Sequence, residues 1–301
     1  MVTPFGVYLR GILMGAADIV PGVSGGTMAF ITGIYDRLLG SIRAFDVTCL
    51  RLLSRGQVRA AWLHVDGAFL LLLLLGIATS ILSLARLVSW LLNAYPVPLW
   101  AFFFGLILAS ALVLLRQVPR WTPALWACLV AGALTAGFIA LSPVVAMTPG
   151  LPGFFIAGFI AICAMILPGI SGSFILILLG MYGPVLTALK NLELEVILVF
   201  GLGAGLGLMC FSRLLHWLLQ RFHAATMALL TGFLFGSLLV VWPWKHALDW
   251  VLGRDGELRP AQQVPVWPWE FAADPMLQVC LPLAVGGFAL VWFIDRLWGS
   301  D

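Results

Sequence analysis

Charged residues are scarce in this chain, and this scarcity excludes most soluble folds. Only 10% of the 301 residues are Asp, Glu, Lys or Arg, whereas 62% are hydrophobic. A soluble domain needs a polar surface that such a composition cannot supply, so we expect an integral membrane protein. The formal net charge of +3 is too small to indicate nucleic-acid binding.

Cysteine and histidine are also too few to form a recognisable framework. None of the five cysteines stands in a Cys-x-x-Cys spacing, and most of them lie within apolar runs. We therefore expect small buried residues rather than disulfides, and neither a metal nor another cofactor. The N-terminus has no charged leader before its first apolar run, so a cleavable signal peptide is not expected.

One short motif occurs twice, at an offset of 147 residues from Ser24 to Ser171. The first copy lies in "DIVPGVSGGTMAFITGIYDRLL", which begins at Asp18, and the second lies in "MILPGISGSFILILLGMYGPVL", which begins at Met165. We call residues 21–27 the first motif and residues 168–174 the second motif. The two arms around the first motif would be roughly 16 and 22 Å long as helices. Neither arm crosses a hydrocarbon core of about 30 Å, so each motif is either a broken helix or a re-entrant hairpin.

The rest of the chain repeats as well. "SLARLVSWLL" from Ser83 matches "CFSRLLHWLL" from Cys210, at an offset of 127 residues. The sequence therefore predicts an all-α polytopic membrane protein with two inverted repeats, each a re-entrant hairpin followed by three spans. The first repeat covers 1–146, with its hairpin at about 7–40 and spans at about 67–93, 97–116 and 123–142. The second covers 147–301, with its hairpin at about 154–189, spans at about 195–219, 225–242 and 276–297, and a periplasmic loop at 243–275.

The distribution of charge favours hairpins over full spans. With hairpins, most of the arginines fall on one side of the membrane, and the acidic 243–275 segment falls on the other. This is the bias of the positive-inside rule. It predicts a multi-pass membrane protein with both termini in the cytoplasm.

The motif chemistry points to an anion. Pro21 and Pro168 should end the first arm of each hairpin, and Ser24 and Ser171 are placed to cap the second arm. Glycines at positions 25, 26 and 172 would leave backbone N–H groups uncovered at two helix N-termini. Such a site suits an anion, and phosphate is the natural candidate.

Several charged residues near the motifs are further candidates. Arg86 and Arg213 lie within apolar runs and could either snorkel to the headgroups or guide an anionic headgroup. Asp18 precedes the first motif and could carry a coupling proton, or could pair with Arg10 or Arg37.

Three alternatives compete with an anion carrier. The motifs could simply kink helices for packing, or the protein could be a channel for small anions. "GVSGG" from Gly22 also fits the Gly-x-Ser-x-Gly pattern of serine hydrolases, but an intramembrane protease needs a histidine base near its serine. No histidine lies in the middle of a predicted span, so no catalytic residue is expected.

The paired "PGVSGGT" and "PGISGSF", each followed by Gly and Tyr in "GIYDRLL" and "GMYGPVL", resemble the bacterial PopT-type polyprenyl-phosphate translocases, long known only as a domain of unknown function. The resemblance covers essentially the whole chain. It implies transport of undecaprenyl phosphate from the outer to the inner leaflet, which recycles the carrier lipid of cell-wall assembly. It also implies phosphate-facing roles for a set of motif residues: Ser24, Gly25, Gly26, Thr27, Ser171, Gly172 and Ser173. The expected partners are polyprenyl phosphate, membrane phospholipids and a coupling proton or ion, and the oligomeric state, including a homo-oligomer, stays open.

Overall fold

The computed structural model describes residues 3–19, 24–118, 120–145, 147–252 and 258–298, and it is almost entirely helical there. The helices of the first half are α1 Pro4–Asp18, α2 Gly25–Ile31, α3 Tyr35–Arg43, α4 Val47–Ser54, α5 Val58–His64, α6 Gly67–Ala94, α7 Pro96–Gln117 and α8 Pro123–Leu141. Those of the second half are α9 Leu151–Ile166, α10 Gly172–Leu178, α11 Tyr182–Lys190, α12 Leu194–Arg221, α13 His223–Ser237 and α14 Leu277–Trp298. Two antiparallel strands, β1 Lys245–Leu252 and β2 Leu258–Pro265, lie between α13 and α14.

The helix bounds repeat between the halves with the offsets seen in the sequence. Helices α2 and α10 begin and end at equivalent residues 147 positions apart, and so do α3 and α11. Helices α6 and α12 begin and end at residues 127 positions apart. The offset changes because α4 and α5, which the sequence did not predict, fill an insertion between α3 and α6. Equivalent sequences therefore fold into equivalent helices.

Five helices in the described part of the chain are long and apolar enough to cross a membrane: α6, α7, α8, α12 and α14. The predicted sixth span, 225–242, differs from the structure. Its helix α13 ends at Ser237 after 15 residues, which is roughly 22 Å. The remaining apolar residues form turns after the helix, with Val240 N–H bonded to the Ser237 carbonyl.

The second arm of each motif region is itself broken. Gly33 and Gly180 adopt the left-handed conformation, at φ +70° and +67°, and end α2 and α10. The next N–H in each case reaches back five residues, from Ile34 to Ala29 at 3.0 Å and from Met181 to Leu176 at 2.9 Å. This is the Schellman ending that a glycine favours. In the second half, the following helix is turned by 109°.

Helix packing follows the same symmetry. Helix α1 packs on α6 as α9 packs on α12, while α7 packs on α14 and α8 on α13, so that the halves are joined across each other. Glycines permit these close crossings. A Cβ at Gly11 would collide with the Leu73 carbonyl of α6, and a Cβ at Gly158 would collide with the Phe200 carbonyl of α12. Among the candidate spans, helix α7 is the most buried. Of its apolar stretch, 61% is buried inside the protein, against 11% for α12.

Candidate functional site

The two motif regions contact each other through hydrogen bonds. The Ser24 hydroxyl donates to the Met165 carbonyl at 3.0 Å, and the Tyr35 hydroxyl donates to the Ile166 carbonyl at 3.0 Å. In the other direction, the Gly169 N–H donates to Thr27 Oγ1 at 3.1 Å. The first motif region is therefore hydrogen-bonded to the end of α9 and to the second motif, and two segments 147 residues apart lie together.

The N-terminus of α2 carries its own anion. Ser24 is the N-cap, as predicted, and its Oγ accepts from the Gly26 N–H at 3.1 Å. Asp18 Oδ1 accepts from the Gly25 N–H at 2.7 Å, so the carboxylate occupies the place expected for a bound anion. The predicted break at Pro21 and the adjoining residues 20–23 lie outside the described residues.

The N-terminus of α10 is arranged differently. Ser171 stands at the N-cap position, as predicted, but its side chain makes no capping hydrogen bond in the described part of the chain. Its Oγ instead lies 2.8 Å from the Oγ of Ser173. The prediction that Pro168 ends the first arm of the second motif region is confirmed. Helix α9 ends at Ile166, two residues before Pro168.

A cavity of about 250 Å³ lies where Asp18 meets the second motif. Its polar lining consists of Asp18, Ser171 and Ser173, with the backbone of Gly172 between the two serines. Its apolar wall comes from α9, α10 and α12: Gly158, Ala161, Ile162, Met165, Leu176, Phe200 and Ala204. Among the described residues that line it, none is basic, so an anion there would depend on backbone N–H groups and hydroxyls.

The motif residues thus divide into two groups. Ser171, Gly172 and Ser173 border the cavity, whereas Ser24 and Thr27 are each 1% exposed, and their hydroxyls form hydrogen bonds between the two motif regions. The sequence treated both motifs as phosphate-facing and could not distinguish these roles. The sequence also contains no local pattern that indicates the hydrogen bond from Tyr35 or the cavity wall formed by α12.

The candidate arginines lie away from this cavity lining. Arg10 is buried, and its Nε donates to the Thr32 carbonyl at 3.0 Å. Arg37 pairs with Asp66 at 2.7 Å, not with Asp18. Arg86 is exposed on α6, and the equivalent Arg213 is exposed on α12.

The geometry does not reproduce a serine protease. The Ser24 hydroxyl donates to a backbone carbonyl, and neither of its hydrogen bonds in the described part of the chain involves a histidine. His64, the histidine nearest in sequence, contacts Asp46 at 3.2 Å in the α4–α5 segment.

Comparison with known proteins now adds the family. Residues 14–259 match the family model described as undecaprenyl phosphate translocase-like. The chain belongs to this family. It is 49% identical over 258 residues to a polyprenyl-phosphate transporter of Vibrio cholerae, covering 85% of this chain and 83% of the relative. It is 32% identical over 253 residues to a polyprenyl-phosphate transporter of Staphylococcus aureus, covering 78% of this chain and 85% of the relative. No solved structure matches the chain.

Membership of the undecaprenyl phosphate translocase-like family agrees with the helical, membrane-embedded architecture. The matched region includes Asp18, both motifs and the whole cavity lining. The family description and both relatives' names denote transport rather than catalysis. The resemblance seen in the sequence is thereby confirmed.

Proposed function

We propose that this protein carries undecaprenyl phosphate across the bacterial inner membrane, from the outer to the inner leaflet, so that the carrier lipid can be reused in cell-wall assembly. Family membership and the names of the two relatives support the substrate class. The observation that carries the mechanism is the joining of the two motif regions at one small, partly polar cavity.

The second motif is the proposed primary arm for the phosphate. Ser171 and Ser173 offer hydroxyls to the cavity, and Gly172 keeps the backbone there free of a side chain. Helix α10 begins at this point, so its first N–H groups add positive partial charge. The polyprenyl tail cannot fit into about 250 Å³ and would lie along the apolar wall and the membrane.

The first motif has a different proposed role. The Gly25 N–H already donates to Asp18 and the Gly26 N–H to Ser24, so the Gly25 N–H becomes available to a phosphate only if Asp18 leaves. A phosphate beside a charged Asp18 would be repelled, because like charges in a low-dielectric site interact strongly. We infer that phosphate entry goes with protonation or displacement of Asp18, which would couple transport to a proton.

An inverted arrangement of the halves is the proposed basis for alternating access. The crossed pairing of α7 with α14 and of α8 with α13 is what a two-fold relation between halves would produce. The proposed topology puts both termini in the cytoplasm and the β1–β2 segment in the periplasm. A cysteine introduced for Glu257 in a cysteine-free background should then react with an impermeant maleimide in cells whose inner membrane is intact. Reaction only after that membrane is permeabilised would reverse the topology.

Arg86 and Arg213 are proposed to attract the headgroup before it enters the cavity. Both are exposed at equivalent positions of α6 and α12, as residues that meet a lipid headgroup need to be. Replacing either by Ala should slow transport at unchanged expression, and Lys should restore only part of it because it lacks the bidentate fork. Arg120→Ala, also at an exposed site, is the matched control. Normal transport in both Ala variants would leave these arginines as snorkelling residues.

The central test is reconstitution into liposomes with labelled polyprenyl phosphate in one leaflet. The proposal expects movement of the lipid and no conductance for chloride or fluoride. Conductance without lipid movement would favour the small-anion channel. Ser24→Ala distinguishes the carrier from a serine enzyme. A carrier should retain part of its transport without this hydroxyl, whereas an enzyme that uses Ser24 as its nucleophile would lose all activity.

A further inference from the structure

The insertion at 44–66 has no counterpart in the second half, and it folds into a pair of short amphipathic helices. Cys49 of α4 packs with Ala61 of α5 and Val65 in a small apolar cluster. Asp46 caps α4 by accepting from the Cys49 N–H at 2.9 Å. The pair is therefore an ordered unit attached to the start of α6, with its own core, and not a loose loop.

An apolar groove of about 340 Å³ runs between this pair and the first turns of α6. Its α4–α5 side includes Leu53, Val58 and Trp62, which remain 48%, 65% and 45% exposed. Its other side is formed by α6 residues that include Leu71 and Leu74. Both leucines are exposed within the candidate span Gly67–Leu84, so the groove opens directly onto the membrane-facing wall of α6.

Exposed arginines flank, in the sequence, the residues that line this groove. They are Arg43 at the end of α3, and Arg51, Arg55 and Arg59 within the 44–66 insertion. The two carboxylates of this segment already have partners. Asp46 accepts from the Cys49 N–H and contacts His64, and Asp66 forms an ion pair with Arg37. Among the described residues no ion pair joins these arginines to a carboxylate, so their charges are available to an anionic headgroup.

We infer that the α4–α5 pair lies in the headgroup layer of the membrane and binds an anionic phospholipid there. One acyl chain occupies the groove, and the arginines hold the phosphate. An acyl chain can enter from the bilayer without crossing water, because the groove continues the lipid-facing wall of α6. Basic amphipathic helices bind anionic membranes by this combination of buried apolar area and charge. The inference does not depend on which lipid the protein transports.

The test uses the purified full chain in neutral detergent, with phosphatidylglycerol or phosphatidylcholine as the probe. Phosphatidylglycerol should raise the midpoint of thermal unfolding more than phosphatidylcholine does. The double variant R55Q/R59Q should lose at least half of that difference. The double variant R120Q/R221Q, with the same change in charge at other exposed sites, should retain it. Equal effects of the two lipids, or equal losses in the two variants, would overturn the inference.

A second measurement places the acyl chain. Phosphatidylglycerol with brominated acyl chains should quench the tryptophan fluorescence of the wild type more than that of Trp62→Phe, and this difference should shrink in R55Q/R59Q. An unchanged difference would contradict the inference. So would a change of oligomeric state in R55Q/R59Q without loss of lipid binding, because the groove would then be an interface between copies. Neither measurement contains polyprenyl phosphate, so a failure here leaves the proposed transport untouched.

Discussion

Asp18 accepts a hydrogen bond from the Gly25 N–H at 2.7 Å, so the first motif region contains a carboxylate where the second has none. Met165 stands at the equivalent position of the second motif region. The duplicated motif is thus chemically asymmetric. A carboxylate that competes with phosphate in one copy only would make one arm responsive to protons and leave the other to bind the substrate.

Asp18→Asn tests this asymmetry. The Asn carbonyl can still accept from Gly25, so the hairpin should keep its fold while losing its charge. We expect wild-type binding of a short-chain polyprenyl phosphate to weaken as pH rises and Asp18 ionises. In the variant, that part of the pH dependence should disappear, and proton-driven transport should fall. Equilibrium binding from pH 5 to 8 measures the first effect, and parallel profiles for the two proteins would exclude competition.

Gly172→Ala tests the second motif. A Cβ at this position would lie 2.7 Å from the Ala161 carbonyl at the edge of the cavity, so the α10 start must shift. We expect transport to drop several-fold. Gly183→Ala is the matched control, since a Cβ there meets nothing within 4 Å. The transport rates of both variants are measured in liposomes. Equal rates would contradict a role of Gly172 in the site.

Thr27→Val tests the junction between the hairpins. Valine keeps the shape but removes the acceptor of the buried Gly169 N–H, which should cost about 1–3 kcal/mol. Thr231→Val is the control, because the Thr231 hydroxyl only donates to the Met227 carbonyl of its own helix. Thermal unfolding in detergent should show a lower midpoint for Thr27→Val alone. Equal midpoints would mean that the junction contributes little.

The burial of Lys245 leads us to expect a pH dependence of stability. Its Nζ donates to the Val240 carbonyl and lies 4.3 Å from the Trp100 ring centroid. Because burial removes water from the ammonium group, the pKa of Lys245 is lowered from 10.5 to about 7. The unfolded chain therefore binds more protons between about pH 7 and 10.5, so the stability contributed by this group rises with pH across that window. Relative to Lys245→Met, the wild type should gain thermal stability from pH 7 to 10. Lys190→Met, at an exposed site, should show no such trend.

The sequence predicted the helical class and five of the six spans well, because these depend on long apolar patterns. It overestimated the span at 225–242 because composition does not distinguish lipid from protein surroundings. Val241 is buried and residues 238–240 are half-buried in turns after α13, so this apolar stretch does not extend the helix. It also missed α4 and α5, whose helices are short and stabilised by a tertiary cluster. The Asp18–Gly25 hydrogen bond joins residues seven positions apart, and no local pattern specifies it.

The crossed pairing of α7 with α14 has a consequence for biosynthesis. A Cβ at Gly105 would collide with the Ala284 carbonyl, and one at Gly287 with the Phe102 carbonyl, so these helices meet backbone to backbone. Helix α7 leaves the ribosome long before α14 has been made. During synthesis, the surface of α7 that packs on α14 therefore stays uncovered in the bilayer until α14 is inserted. A nascent chain that stops short of α14 should consequently be a substrate for membrane quality-control proteases, even though both motifs have already been synthesised.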